Sequence, residues 1–321
     1  MTELLTVKNL QVITKKRAIP IVKGVSFNVE RGEVFAIVGE SGSGKSITTQ
    51  SIAGMQAGNL NLNAEQIQFN NQDLQKIKNK DWLNIRGHQL GMIFQDPMTS
   101  LNPTLTIGKQ LMEIFIIKKK YSRKAARDEA IRLLKSVEIT LPEARLKQYP
   151  HELSGGMRQR IVIAMALALS PDLVIADEPT TALDVTTQKQ ILSLLQKLKE
   201  EKGSAILLIT HDLGVVAEIA DRVAVMYSGK IVEQGSVEAI FNHPKHPYTA
   251  GLLASLIKED TDRSQPLYSI KGRPSMADEI PQGCPFVNRC PYAMNICASH
   301  YPATKQKQDH QVDCWLEEVR T

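Results

Sequence analysis

Cysteine is missing from the first 283 of the 321 residues, so disulfide bonds cannot organise that part of the chain. The longest unbroken apolar run, 161–169, has nine residues, far fewer than the ~20 that a membrane-spanning helix needs. The first residues lack the basic and apolar segments of a secretory signal, so we expect none. Basic residues outnumber acidic ones by only 39 to 34, which is too small an excess to indicate nucleic-acid binding. We therefore expect a cytosolic globular protein.

Four short apolar runs are each followed by polar residues, a pattern typical of parallel strands in an α/β fold. The runs are 33–38, 91–94, 173–176 and 205–209. Ligands of open α/β sheets bind beyond the carboxyl ends of the strands. We therefore expect the residues after these runs to contribute to one site.

The spacing of apolar residues changes along the chain and predicts its domain organisation. Helical periodicity over about 97–160 predicts a helical subdomain inserted into the sheet domain. The stretch 223–232 predicts a β-hairpin. From about 258 onward periodicity weakens, and proline, glycine and cysteine become more frequent. We predict one domain over 1–257 and a small C-terminal extension over 258–321.

A phosphate-binding loop is predicted where the first buried strand ends. Residues 39–46 match G-x-x-x-x-G-K-[ST] between that strand and a helical run beginning at Lys45. The glycines let successive backbone N–H groups point at phosphate oxygens. The Lys45 ammonium would reach the β- and γ-phosphates, and the Ser46 hydroxyl would bind Mg²⁺. The predicted nucleotide contacts of this segment are Gly39, Glu40, Ser41, Gly42, Ser43, Gly44, Lys45, Ser46 and Ile47.

A second motif places two acidic residues, Asp177 and Glu178, at the end of an apolar strand. Such a strand can deliver Asp177 to the Mg²⁺ of a bound nucleotide, while Glu178 orients and polarises the attacking water. Together with the phosphate-binding loop, this pair predicts nucleoside triphosphate hydrolysis.

Residues 153–160, LSGGMRQR, resemble the signature motif of ABC-type ATPases. Gln95 resembles the Q-loop of that family, residues 182–184 its D-loop, and His211 its switch histidine. The resemblance implies an α/β P-loop ABC nucleotide-binding domain with an inserted helical subdomain and an antiparallel β subdomain. It implies catalytic roles for Glu178, His211 and Gln95. It also implies that Gln95 joins Ser46 and Asp177 at Mg²⁺, with ATP as the nucleotide.

ABC cassettes work as head-to-tail pairs, and the resemblance assigns residues of this chain to that arrangement. Ser154, Gly155, Gly156 and Gln159 would contact the nucleotide held by the partner cassette, and Asp184 would lie in the dimer loop. Cassettes of this family usually stack adenine on an aromatic residue near position 14. This chain has no aromatic residue before Phe27, so Ile13, Arg17 and Ile19 are the candidates to cover the base.

Residues 95–103 (QDPMTSLNP) and 246–249 (HPYT) resemble the oligopeptide/dipeptide/nickel importer ATPases. The resemblance implies a peripheral subunit on the cytoplasmic side of the cell membrane, powering peptide import. Its expected partners are a second homologous ATPase in a heterodimer, two permease subunits and, indirectly, an external solute-binding protein, but no nucleic acid. Nickel, glutathione or another small solute is the alternative cargo. A non-transport ABC ATPase acting on nucleic acid or ribosomes is the alternative of a different class.

All four cysteines, Cys284, Cys290, Cys297 and Cys314, lie in the last 38 residues. In a cytosolic chain such a cluster favours metal ligation over disulfides. The spacing lacks the paired C-x₂-C usual in structural zinc sites, whereas four thiolates with flanking prolines suit a [4Fe–4S] cluster. We therefore predict an iron–sulfur cluster, with zinc or free buried thiols as alternatives.

Overall fold

The computed structural model describes residues 2–181, 184–256, 268–275 and 282–319. The chain divides into two units: the first contains residues 1–77 and 207–321, and the second contains residues 78–206. The expected boundary at 257–258 and the D-loop residues Ala182 and Leu183 lie outside the described residues.

The strands of both units are short apart from the first two. They are β1 (Glu3–Thr14), β2 (Pro20–Glu30), β3 (Val34–Val38), β4 (Leu60–Asn63), β5 (Gln66–Phe69), β6 (Gln72–Asp73), β7 (Leu90–Ile93), β8 (Leu173–Asp177), β9 (Ala205–Thr210), β10 (Arg222–Tyr227), β11 (Lys230–Ser236), β12 (Lys305–Lys307) and β13 (His310–Val312).

Several helices begin at a Ser, Thr or Asp side chain that accepts a backbone N–H bond, as capping residues do. The helices are α1 (Lys45–Ile52), α2 (Trp82–Ile85), α3 (Pro97–Ser100), α4 (Ile107–Lys119), α5 (Arg123–Ser136), α6 (Pro142–Arg145), α7 (Gly155–Leu167), α8 (Val185–Lys202), α9 (Leu213–Ile219), α10 (Val237–Asn242), α11 (Pro247–Ala254), α12 (Asn295–Ser299) and α13 (Leu316–Val319). None of the helices in the described ranges is long and apolar enough to span a membrane.

The first unit contains two sheets. One has the strand order β12-β13-β11-β10-β3-β9, in which β3 and β10 run parallel and β10 and β11 form the expected hairpin. All five residues of β3 are buried, as expected for a strand covered on both faces. The other sheet is antiparallel, with the order β2-β1-β5-β6 and β4 also paired to β1. Phe27 of β2 stacks on Phe35 of β3 at 5.3 Å, which joins the two sheets through one apolar core.

The second unit combines a parallel strand pair with helices. Strands β7 and β8 pair in parallel with Leu90 opposite Leu173, and both deliver their carboxyl ends to the same edge. Helices α3 to α6 fill the segment that helical periodicity predicted. Gly91 lets α7 approach β7 closely, because a Cβ atom there would lie 2.6 Å from the Ala166 carbonyl oxygen. The signature helix α7 is thereby packed directly on the strand that leads to Gln95.

Candidate functional site

The phosphate-binding loop connects β3 to α1 in the first unit, as predicted. Gly39 has a φ of 153°, and a Cβ atom at this position would lie 2.0 Å from the Met226 carbonyl oxygen. Gly44 caps α1 with a φ of 103°, in the left-handed region that favours glycine. Only glycine fits the backbone at these two positions. The motif spacing therefore reflects steric need as well as phosphate recognition.

Lys45 lies across this loop with its side chain buried. Its Nζ donates to the carbonyl oxygens of Gly39, at 2.7 Å, and Glu40, at 3.0 Å. Ser46 and Ile47 follow in the first turn of α1 and are half-buried. A cavity of about 280 Å³ lies beside the loop, lined in part by Ser41 and Ser43. The loop therefore combines a fixed ammonium group with a helix N-terminus, which together favour a bound phosphate.

Glu40 has partners that its place in the motif does not predict. Its backbone N–H donates to the hydroxyl oxygen of Tyr248, at 2.9 Å. Its carboxylate accepts two hydrogen bonds from Arg289, at 2.7 and 3.0 Å. Burial raises the pKa of the Tyr248 hydroxyl. Burial alone would lower the pKa of Arg289, but hydrogen bonds to Glu40 and Tyr227 outweigh it, so that pKa lies above its ordinary value. Arg289 and Glu40 lie at salt-bridge distance.

His211 lies in the first unit, directly after β9, and its side chain is exposed. The next residue, Asp212, caps α9 by accepting backbone N–H bonds from Gly214, at 2.8 Å, and Val215, at 3.4 Å. Thr210 Oγ1 accepts the Asp212 backbone N–H at 3.0 Å. These bonds fix the turn that carries His211 beyond the carboxyl end of the strand.

In the second unit, Gln95 and Glu178 are brought together. Gln95 Nε2 donates to Glu178 Oε2 at 2.9 Å, and Thr181 Oγ1 donates to the same oxygen at 2.8 Å. Asp177 is only 3% exposed at the end of β8. Glu178 has a φ of 47°, a conformation that costs energy for a residue with a side chain. The strain and the two hydrogen bonds fix the direction in which this carboxylate points.

The signature motif begins α7. Ser154 caps the helix by accepting the Met157 N–H at 3.3 Å, and a Cβ atom at Gly155 would meet only open space. Gln159 is 2% exposed and donates from Nε2 to the Pro179 carbonyl oxygen at 2.8 Å. Gln159 therefore connects the signature helix to the loop that follows Glu178. The contact of Gln159 with the nucleotide of a partner cassette stays a prediction.

Asp184 caps α8 by accepting both the N–H and the hydroxyl of Thr187, at 2.9 and 2.7 Å. These bonds lower the pKa of the Asp184 carboxyl group, because they stabilise its charged form. A Cβ atom at Gly156 would lie 3.0 Å from the Thr187 methyl group. Gly156 and Asp184, which the sequence assigned to the signature motif and the dimer loop, thus both lie next to Thr187.

Sequence reasoning missed Tyr248 and Arg289, the partners of Glu40 in the first unit, and Thr181, a partner of Glu178 in the second. Tyr248 lies in the 246–249 motif, which was interpreted only as a mark of the importer subfamily. Arg289 directly precedes Cys290, and the cysteine spacing alone gave it no role. An acidic residue inside a phosphate-binding loop was the available signal, since a buried or half-buried carboxylate needs a partner.

Comparisons with known proteins decide the family. The profile of the family described as ABC transporter matches residues 22–181, and that of the oligopeptide/dipeptide transporter C-terminal region matches residues 232–297. The chain is 51% identical to the dipeptide transport ATP-binding protein DppD of Bacillus subtilis strain 168, over all of this chain and 96% of that protein. The chain belongs to the ATP-binding proteins of oligopeptide/dipeptide ABC transporters.

Other relatives agree with this ABC assignment. The oligopeptide transport ATP-binding protein OppD of the same Bacillus strain is 49% identical over 98% of this chain and 89% of its own. Among solved structures, the ATP-binding cassette MJ0796 in a dimeric post-hydrolysis state with ADP and Pi has a TM-score of 0.65 and 31% identity. It covers 73% of this ABC chain and 99% of its own. The ABC fold predicted from the sequence is confirmed.

The prediction that the cysteines of this ABC protein hold a [4Fe–4S] cluster, or zinc, is wrong. Within the described ranges, no group of three or more His, Cys, Asp or Glu side chains could hold a metal ion. The relatives above are named only as ATP-binding proteins. The cysteines do come together, around a cavity of about 20 Å³ that Phe286 also lines. Burial raises the pKa of Cys284 to about 12 and of Cys314 to about 11, so these are neutral thiols packed in a small core.

Proposed function

We propose that this chain hydrolyses ATP to power the import of dipeptides or oligopeptides. The contact of Glu178 with Gln95 and Thr181 carries the hydrolytic part of this proposal, because it orients a carboxylate at a strand end of an ABC fold. The peptide part is supported by the names of the full-length relatives and by the match of residues 232–297 to a peptide-transporter C-terminal region.

The phosphates of ATP are assigned to the loop 39–46, with Lys45 as their cationic contact. Oxygen donors are what Mg²⁺ prefers, and Ser46, Gln95 and Asp177 each offer one. Gln95 uses its Nε2 toward Glu178, which leaves its Oε1 available as a ligand. When bound, Mg²⁺ neutralises charge that develops on the β- and γ-phosphates.

The hydrolytic step is assigned to the residues of the strand-end loops. Glu178 accepts a proton from water as the water oxygen bonds to the γ-phosphorus and the bond to ADP breaks. Gln95 and Thr181 hold the Glu178 carboxylate in one orientation during that transfer. We assign His211 the role of contacting the γ-phosphate, because its side chain is exposed directly after the carboxyl end of β9.

The assembly is part of the same proposal. A second homologous ATPase would pair with this chain, so that Ser154, Gly155, Gly156 and Gln159 contact the partner's nucleotide and Asp184 lies at the interface. Two permease subunits would anchor the pair peripherally at the cytoplasmic side of the membrane, and an external solute-binding protein would supply peptide.

Uptake of a labelled dipeptide by a strain that lacks this chain tests the proposal. The strain is complemented with the intact protein, with Glu178→Gln, or with Glu238→Gln as the control, since Glu238 is exposed in the first turn of α10. We expect uptake with the intact protein and the control, and none with Glu178→Gln. If the intact protein restores uptake of nickel or another small solute but not of peptide, the cargo assignment is wrong. Salt-sensitive binding to nucleic acid without any uptake would favour the non-transport class.

A further inference from the structure

Arg289 of the C-terminal extension is fixed by partners at every edge of its guanidinium group. Nη1 and Nη2 donate to the two carboxylate oxygens of Glu40 as a bidentate pair, at 2.7 and 3.0 Å. Nε donates to the Lys271 carbonyl oxygen at 3.1 Å, and Nη1 also reaches the Tyr227 hydroxyl at 3.3 Å. The Arg289 side chain is 5% exposed. A planar fork held in this way has little freedom to leave Glu40.

Glu40 is correspondingly fixed by three different parts of the first unit. Its carboxylate is held by Arg289, its N–H by the Tyr248 hydroxyl of α11, and its carbonyl oxygen by Lys45 Nζ. The loop is also anchored by the Gly229 N–H, which donates to the Ser43 carbonyl oxygen at 2.9 Å. The extension therefore supplies the side-chain anchor of the second residue of the phosphate-binding loop.

The pair also has an electrostatic consequence. A loop that binds a polyphosphate gains from positive potential, and a carboxylate within it opposes binding. The Glu40 side chain is only 26% exposed, so water screens its charge incompletely. The Arg289 guanidinium, at hydrogen-bond distance, offsets the Glu40 charge. The electrostatic potential at the loop is then set mainly by the Lys45 ammonium and the N-terminus of α1.

We propose that Arg289 is a positioning residue for the nucleotide, acting through Glu40. It holds the phosphate-binding loop in its binding shape and cancels the negative charge of that loop. The proposal rests on the proposed function, since it requires that the loop binds ATP. It makes the C-terminal extension a part of the nucleotide site rather than an appendage to it.

The test is the affinity of the full chain for a fluorescent ATP analogue with Mg²⁺, measured in a Glu178→Gln background so that hydrolysis does not interfere. The variants are Arg289→Gln, Arg289→Lys, Glu40→Gln and the double variant of Arg289→Gln with Glu40→Gln. Arg222→Gln is the matched control. It breaks another arginine–carboxylate pair of the same unit, that of Arg222 with Glu33 at 3.1 Å. The Arg222 guanidinium also donates to Asn28, which lies outside the loop 39–46.

We expect Arg289→Gln to weaken ATP binding about tenfold or more, the scale of losing hydrogen bonds to a charged group. Arg289→Lys keeps the positive charge, so its affinity for ATP should fall less than that of Arg289→Gln. The double variant should bind within about threefold of Glu40→Gln alone, because no uncompensated carboxylate remains. Arg222→Gln should lower the thermal midpoint while leaving the affinity of the folded protein unchanged.

Three results would overturn the proposal. One is an affinity of Arg289→Gln within twofold of the parent, with only the thermal midpoint lowered, which would make Arg289 purely structural. Another is a double variant as weak as Arg289→Gln. If Arg289→Gln does not fold, Arg289→Lys and Glu40→Gln carry the test, and unchanged affinity in both overturns it. A parent chain that binds no ATP would instead overturn the proposed function, and this inference with it.

Discussion

Glu40 and Glu178 each follow a buried strand, and different side chains donate hydrogen bonds to their carboxylates. Glu40, after β3 in the first unit, pairs with the charged guanidinium of Arg289. Glu178, at the end of β8 in the second unit, accepts bonds from the neutral amide of Gln95 and hydroxyl of Thr181. Neutral donors orient a carboxylate without cancelling its charge, whereas an arginine does both. The difference suits a loop that binds phosphate in one case and a proton acceptor in the other.

The largest effect should come from removing the Glu178 carboxylate, to which Gln95 and Thr181 donate. We expect Glu178→Gln to lower kcat for ATP hydrolysis by ~10²–10⁴-fold, the usual contribution of a general base, while KM changes little. Steady-state ATPase assays of the full chain check this, with Glu238→Gln as the control. A kcat within tenfold of the parent would remove Glu178 from the proton-transfer role.

On the Glu40 side of the comparison, we expect the free energy of unfolding to depend on pH by up to about 3 kcal/mol, through His246. His246 caps α11, the helix that carries Tyr248, by accepting the Tyr248 N–H at 3.1 Å. Burial lowers the pKa of His246 to about 4, although the nearby Glu233 carboxylate acts to raise it. The unfolded chain, with an ordinary histidine pKa near 6.5, therefore binds more protons between pH 4 and 6.5. Stability is full above that window and falls as pH decreases through it.

Urea unfolding at several pH values measures this loss, and His246→Asn tests its source. Asparagine can still cap a helix but does not titrate, so the variant should lose stability less steeply between pH 6.5 and 4. A profile as steep as that of the parent would place the titrating group elsewhere.

Some features of this protein depend on residues close together in the sequence, and others on residues far apart. Only the first kind can be predicted from the sequence alone. Residue patterns located β3, β8 and β9, the start of α1 at Lys45 and the helical segment that contains α3 to α6, because each depends on local periodicity or on glycine geometry. The pair of Arg289 and Glu40 spans 249 residues, and no local pattern encodes such a distance. Only the presence of a carboxylate in a phosphate loop hinted at a partner.

The cysteines show a second limit. Their spacing correctly suggested that Cys284, Cys290, Cys297 and Cys314 come together. The same spacing is compatible with metal ligands and with a packed thiol core, because the chemistry depends on burial and on the room between the sulfur atoms. Neither quantity can be derived from a one-dimensional pattern.

A smaller effect is expected when one donor to Glu178 is removed. Thr181→Val deletes a hydroxyl that donates to Oε2 at 2.8 Å and keeps the shape of the side chain. Hydrogen bonds to charged groups contribute about 1.5–3 kcal/mol, so kcat should fall by roughly tenfold with KM nearly unchanged. Thr104→Val is the control, since the Thr104 hydroxyl donates to Asn102 Oδ1 at 2.7 Å in the same unit. Equal effects of both variants would contradict an orienting role for Thr181.

The smallest effect should come from the hydroxyl that holds the Glu40 backbone. Tyr248→Phe removes the acceptor of the Glu40 N–H but keeps the ring, which packs against Tyr227 at 4.6 Å. A single neutral hydrogen bond contributes about 1 kcal/mol net, so ATP binding should weaken by no more than about fivefold. Tyr301→Phe is the matched control, because the Tyr301 hydroxyl donates to Asp313 at 2.7 Å in the same unit. Since Arg289 carries charge and Tyr248 does not, a loss for Tyr248→Phe as large as that for Arg289→Gln would mean that loop shape, and not charge, governs phosphate binding.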